Sequence, residues 1–192
     1  MTIDFYNINA DSFYESTIDA DMSQQYARFT EHLPANASVL DAGCGSGRDS
    51  KAFLTMGYDV TAFDASHEMV SRAKALTGLD IQLKQFDQFQ TERQFDGIWS
   101  CASLLHISLI NLPAILSRLE GMLSAGGVWY LSFKYGIEER EKGGRHFTDL
   151  NENALENLIR PLTRLQIQSV WITDDVRPGR DEQWLNAILR KQ

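Results

Sequence analysis

The sequence predicts an α/β protein built on a parallel β-sheet with helices on both of its faces. Short apolar runs alternate with amphipathic stretches from residue 38 onward, which is the pattern of successive strand–helix–strand units. Glycines punctuate that alternation at 57, 78 and 126–127, where helices stop or the chain turns. The first apolar run also feeds straight into a glycine-rich turn, VLDAGCGSGRDS over residues 39–50.

Each element has its own local reason. Residues 38–42 read as the first strand. A helix is expected from Gly47, with Ala52, Phe53 and Met56 on its inner face and Gly57 as its stop. Residues 58–63 form the second strand. Ser66 caps a helix whose apolar positions are Met69, Val70, Ala73 and Leu76, and Gly78 ends it. Residues 81–84 and 97–101 read as the third and fourth strands. Pro113, tolerated in a first helical turn, precedes Ile115, Leu116, Leu119, Met122 and Leu123. Gly126-Gly127 turns the chain into a fifth strand over 128–133, and residues 135–150, with their EEREK charge run, read as a mobile loop. A helix near 152–159 and strands over 165–172 and 183–189 follow. The chain is expected to be one domain over 1–192, with a core over 38–192 and a cover over 1–37 that is helical around 22–32.

Composition narrows the function. The chain has 192 residues, 43% of them hydrophobic and 23% charged, an ordinary globular balance with room for one buried core. No apolar run approaches a membrane span, and residues 1–10 lack the build of a signal peptide. Two cysteines are too few for a disulfide scaffold, so a cytoplasmic location is expected. The net charge of −8 disfavours nonspecific nucleic-acid binding, which draws on clustered Lys and Arg. The four histidines show no metal-ligand spacing, so no metal is expected.

The glycine loop carries the chemistry. Gly43, Gly45 and Gly47 allow close approach of a ligand and positive φ. A nicotinamide fingerprint needs its third glycine at position 48, which is Arg48. A phosphate-binding P-loop needs Lys-Ser or Lys-Thr after its last glycine, and the sequence has Arg48-Asp49. Asp41, just before the glycines, would repel a pyrophosphate and suit a ligand with ammonium and sulfonium charges. S-adenosylmethionine is such a ligand. Asp64 closes the second strand, placed to accept both ribose hydroxyls, and Asp87 follows where it can accept from an adenine amino group with Phe86 beside it.

These features resemble the class I S-adenosylmethionine-dependent methyltransferases. The likeness rests on D-x-G-x-G-x-G at Asp41–Gly47, on Asp64, on Asp87 and on FDGIWSCASLLHI at 95–107. The size of the chain and its CGSGRDS loop look like the small tellurite-resistance-type and metabolite methyltransferases. The resemblance implies a Rossmann-like, doubly wound, seven-stranded sheet in the order 3-2-1-4-5-7-6 with strand 7 antiparallel, and S-adenosyl-L-methionine as cofactor, released as S-adenosyl-L-homocysteine. It places Tyr14, Cys44, Arg48, Ala65, Met69, Cys101 and Ala102 around that cofactor with the residues already named, and sets Tyr6 in the covering segment. His106 points toward the acceptor as a candidate base, and Lys134, Tyr135, Arg145 and His146 face the acceptor across a loop. For Arg48 a solvated surface position is the competing reading, and for His106 a core packing role.

Methyl transfer from a sulfonium needs positioning more than acid–base machinery, and no dyad or triad is evident. Neither the N/D-P-P-Y motif of amino-methylating nucleic-acid enzymes nor a Pro-Cys pair occurs, so a small-molecule acceptor is expected. A catalytically silent S-adenosylmethionine-binding regulator is the alternative from another class; a nicotinamide-dependent reductase is disfavoured by Arg48. The acceptor atom and the oligomeric state are left open.

Overall fold

The computed structural model describes residues 2–177 and 179–192. Helices α1 (Thr2–Ile8), α2 (Ala10–Thr17) and α3 (Ser23–Thr30) precede strand β1 (Ser38–Ala42). Helix α4 (Arg48–Thr55) links β1 to β2 (Asp59–Asp64), and α5 (His67–Thr77) links β2 to β3 (Gln82–Leu83). After β4 (Phe95–Ser100) come a single 3₁₀ turn (Leu104–His106), α6 (Leu112–Met122) and β5 (Leu123–Lys134). Strands β6 (Glu139–Lys142) and β7 (Arg145–Thr148), helix α7 (Glu152–Ile159) and strands β8 (Leu165–Asp174) and β9 (Gln183–Lys191) follow.

The main sheet runs β3-β2-β1-β4-β5-β9-β8. Strands β1 to β5 pair in parallel, and β9 is antiparallel to both β5 and β8. This is the expected order, because β6 and β7 pair only with each other and leave β8 and β9 as the sixth and seventh strands of the sheet. The order reverses at β1, whose neighbours are β2 and β4. A crevice therefore opens at the carboxyl ends of these strands, where α/β sheets bind ligands.

The sheet is covered on both faces, so neighbouring residues of one strand enter different cores. Leu40, Ile98 and Trp129 belong to the larger core, with α6 and α7. Val39, Trp99 and Tyr130 belong to the smaller one, with Phe29 of α3 and Phe53 of α4. Trp99 and Tyr130 stack with ring centroids 3.9 Å apart. Truncating a fully buried ring such as Trp99 to alanine costs about 3–5 kcal/mol.

Four expectations are corrected. Met56 is the C-cap of α4 and is 49% exposed, not on its inner face. Gly126-Gly127 is not a turn before β5 but an irregularity within it: pairing with β4 jumps from Phe95↔Leu123 to Gly97↔Val128, as a bulge does. Residues 135–150 contain the β6–β7 hairpin in place of a loop, with Gly143 and Gly144 both at positive φ in its turn. The segment before β1 holds three short helices in place of one.

Candidate functional site

A cavity of about 700 Å³ lies at the carboxyl ends of β1, β2 and β4, within the usual range of small-molecule sites. Its floor is the glycine loop and the residues just after β2 and β4. Helices α1 and α2 roof it, and the β6–β7 hairpin and the β8–β9 turn close its far end.

The glycine loop is tied to β2. The amides of Gly43 and Cys44 both donate to the Phe63 carbonyl at 3.0 Å, and the Gly45 amide donates to Asp64 at 2.8 Å. The second oxygen of Asp64 accepts from the Ser66 amide at 2.8 Å. Burial raises the Asp64 pKa, while the amides of Ser66, Gly45 and Ala65 oppose that rise. Two donated amides leave the carboxylate with spare lone pairs facing the cavity. Gly45 has φ +54°, and a Cβ built there would meet no atom within 4 Å. The loop thus presents an open backbone face beside a carboxylate.

The opening of α4 forms a buried polar knot. Asp49 accepts from Arg48 Nε at 2.6 Å and Nη2 at 3.0 Å, from the Tyr26 hydroxyl at 2.5 Å and from Trp99 Nε1 at 2.8 Å. Burial alone would raise the Asp49 pKa, but the Arg48 charge and these hydrogen bonds hold it below the ordinary value. Arg48 also donates to the Thr17 carbonyl at 3.3 Å, at the negative end of α2. Arg48 is therefore not a solvated surface cation. It lines the cavity as a fixed charge.

Of the other residues expected at the cofactor, Gly43, Cys44, Ala65, Met69, Phe86, Cys101 and Ala102 also line this cavity. Ala102 sits at φ +50°, a sparsely populated conformation for alanine, and its amide is held by Ser132 Oγ at 2.9 Å. Burial pushes the thiols of Cys44 and Cys101 up, that of Cys101 to about 12. Neither is a thiolate near neutral pH.

Four positions lie elsewhere. Asp41 is 2% exposed and sits behind the loop, where its carboxylate accepts from Ser50 Oγ at 2.6 Å; it does not line the cavity. Gly47 is the left-handed N-cap of α4, against Ala73 of α5. Asp87 is exposed because the turn after β3 buries Phe86 and points the next residue outward. Tyr14 is off the lining stripe of α1 and α2, which runs through Tyr6, Asn9, Phe13, Ser16 and Thr17 at helical spacing.

At the far end His106 is held at both nitrogens. Nδ1 lies 2.7 Å from the His146 carbonyl and so carries the proton, leaving Nε2 to accept from the Tyr6 hydroxyl at 2.8 Å. Burial lowers the His106 pKa to about 4, so the ring is neutral at physiological pH. His106, Lys134 and Arg145 line the cavity; Tyr135 and His146 do not. Tyr135 is exposed, with its hydroxyl 3.2 Å from Glu152. The His146 ring turns outward to Glu139 and Glu141. What His146 gives the site is backbone: its carbonyl accepts from His106 Nδ1, and its amide donates to Thr2 Oγ1 at 2.9 Å, which ties α1 to the hairpin.

Sequence reasoning missed most of the α1–α2 lining and the β8–β9 turn. The signal for the first was the spacing of Phe5, Tyr6, Asn9 and Phe13; for the second it was the charged run DDVRPGRDE between two strands. Among the described residues, no group of three or more His, Cys, Asp or Glu is arranged to hold a metal ion, and no helix is long and apolar enough to cross a membrane.

Residues 39–127 match a family model described as a methyltransferase domain. A ubiquinone biosynthesis O-methyltransferase of Xanthomonas axonopodis pv. citri is 30% identical over 106 residues, 52% of this chain and 44% of the relative. A probable S-adenosyl-L-methionine-dependent methyltransferase, TehB, of Haemophilus influenzae is 28% identical over 94 residues, 46% of this chain and 33% of the relative. The chain thus spans less than half the length of these curated relatives. Among solved structures, the 1,6-didemethyltoxoflavin-N1-methyltransferase of Burkholderia thailandensis, with its substrate and S-adenosylhomocysteine bound, superposes with a TM-score of 0.80 at 23% identity, covering 99% of this chain and 85% of that one. At that identity the likeness is one of fold. Residues 39–127 are thus similar to a methyltransferase domain, and the chain as a whole shares its fold and sheet order with solved methyltransferases.

Proposed function

We propose that the chain methylates a small-molecule acceptor, using S-adenosylmethionine held in the cavity described above. The observation that carries this reading is the union of Gly45 and Asp64. The loop amide that a phosphate would need is donated to a carboxylate, and the backbone face beside it is open. A pyrophosphate would meet a negative charge there; a ribose diol meets acceptors.

The residues fit the cofactor part by part. Asp64 takes the ribose hydroxyls, Met69 and Phe86 flank the adenine, and the Gly43–Gly45 backbone with Cys101 and Ala102 forms the floor. Arg48 supplies the positive charge for the amino-acid carboxylate. Bound S-adenosylmethionine supplies an electrophilic methyl group on a cationic sulfur. The remaining work of the chain is to hold the acceptor in line and keep water out.

Where the acceptor loses a proton, the path runs through Tyr6. The His106 lone pair is occupied by the Tyr6 hydroxyl, so the acceptor's proton passes to the Tyr6 oxygen as the Tyr6 proton moves to Nε2. His106 then releases it to solvent.

Calorimetric titration with S-adenosylmethionine, S-adenosylhomocysteine and NADH tests the reading. Both adenosyl ligands should bind and NADH should not. Asp64→Asn should weaken them about ten- to 150-fold, the loss of one or two hydrogen bonds to a charged group. No binding of either adenosyl ligand at millimolar concentration would refute the proposal.

A further inference from the structure

Charge is distributed unevenly around the cavity. The chain carries a net charge of −8, yet its far end is rich in cations. Lys134 is paired with Glu182 at 2.8 Å and Arg177 with Asp175 at 2.5 Å. Lys142, Arg145 and Arg180 also line the cavity and form no ion pair among the described residues. Lys142 and Arg145 stand directly opposite each other across the β6–β7 ladder. Like charges in that relation destabilise a hairpin; the Glu182 carboxylate, already paired with Lys134, is the acidic group whose field reaches Lys142 and Arg180.

Arg145 is the best placed of the three. Its guanidinium lies 4.2 Å from the ring centroid of Phe5 and 5.0 Å from that of Phe147, with Tyr6 at 6.0 Å. Its Nε is buried without a hydrogen-bond partner. Stacking on aromatic faces holds the cation in place, and the Tyr6 hydroxyl accepts from the guanidinium, but Nε and the remaining directed N–H donors are left for another acceptor. A planar, delocalised cation held between rings is matched by a planar anion: the fork takes the charge bidentately while the rings take the plane.

We infer that the methyl acceptor is a small aromatic or conjugated anion, with its negative group on Arg145 and its plane against Phe5 and Phe147. The inference rests on the proposed methyl transfer and adds the class of acceptor to it. Lys142 and Arg180 extend the positive field toward solvent and draw the anion in. The anchored group lies beside Tyr6 and His106, so the acceptor's remaining nucleophile is presented on the proton path.

Matched probes test this on the S-adenosylhomocysteine-loaded protein. Benzoate and 4-hydroxybenzoate are titrated against benzamide and 4-hydroxybenzamide, with inorganic phosphate as a non-planar anion. Each acid should bind at least about tenfold tighter than its amide, the effect of one charge-assisted hydrogen bond. Phosphate should bind more weakly than either acid. Arg145→Met should abolish the preference for acids, and Arg145→Lys should restore part of it without the bidentate geometry; melting curves confirm that both variants fold. Equal affinities within the pairs, no acid binding at 10 mM, tighter binding of phosphate, or an unchanged preference in a folded Arg145→Met protein overturns the inference. The same titrations on the ligand-free protein separate this outcome from failure of the methyltransferase reading, which would show as absent S-adenosylhomocysteine binding.

Discussion

Alanine at Gly45 and at Gly47 should fail in different ways, and the difference tests whether the glycine loop is a ligand cradle. Both residues have left-handed backbone, φ +54° at Gly45 and +86° at Gly47, which costs alanine about 1–2 kcal/mol. A Cβ at Gly45 meets nothing within 4 Å, so the strain stands alone there. For a domain of this size it lowers Tm by about 2–8 °C. The new methyl then stands in the space proposed for the cofactor. Forcing the ligand aside costs about 1–3 kcal/mol, or roughly five- to 150-fold in affinity. A Cβ at Gly47 would lie 2.9 Å from the Ala73 Cα, a backbone atom that cannot swing away. That overpacking adds about 1–3 kcal/mol to the same backbone strain. Gly47→Ala should therefore melt up to about 20 °C lower, while its folded fraction binds S-adenosylhomocysteine almost normally, because Gly47 does not line the cavity. Thermal melts and calorimetry on the two variants read the two effects separately. If Gly45→Ala bound the ligand as tightly as the parent protein, the open face would not be the cradle.

Two further outcomes follow from titration and hydrogen bonding. Asp41 is pushed up to about 8, first by burial and then by the charge of Asp49. Because the folded state binds this proton more tightly than the unfolded chain, the contribution of Asp41 to stability is full below pH 4 and is lost as the pH rises through 8. Asp41→Asn should flatten this decline in Tm between pH 4 and 9; an unchanged profile would show that Asp41 is ionised at no cost. Tyr6→Phe removes only the hydroxyl that occupies His106 Nε2, so it should cut kcat about 10²- to 10⁴-fold on an acceptor that loses a proton. S-adenosylhomocysteine affinity should change little, and full turnover would exclude the relay.

The fold was legible where local rules and burial agreed. Ser66 caps α5 by accepting from the Met69 amide, and Gly78 ends that helix in left-handed conformation, both as the sequence implies. The glycine-loop half of the cavity was legible for the same reason: its residues sit at the ends of consecutive strands, so their spacing along the chain encodes their meeting in space. The far end was legible only in part: His106, Lys134 and Arg145 are expected there and line the cavity. Tyr6, His106 and Arg145 meet across α1, the turn after β4 and the hairpin, and no local pattern records that encounter. Asp41 and Asp87 show the limit in the other direction. Acidic residues at strand ends stand close to the site, but a single step along the backbone turns one carboxylate into the core and the other into solvent.

The roof also bears on how the protein is made. Tyr6 meets His106 across 100 positions of sequence, and Thr2 meets the His146 amide across 144. Helices of seven and eight residues are marginal on their own, and contacts this distant in sequence form slowly. On the ribosome α1 and α2 emerge before every group that will hold them and wait for the hairpin to be synthesised. Closure of the cavity is therefore a late event in folding. A mutation that loosens the β6–β7 hairpin would unroof the site while leaving the glycine loop and Asp64 intact.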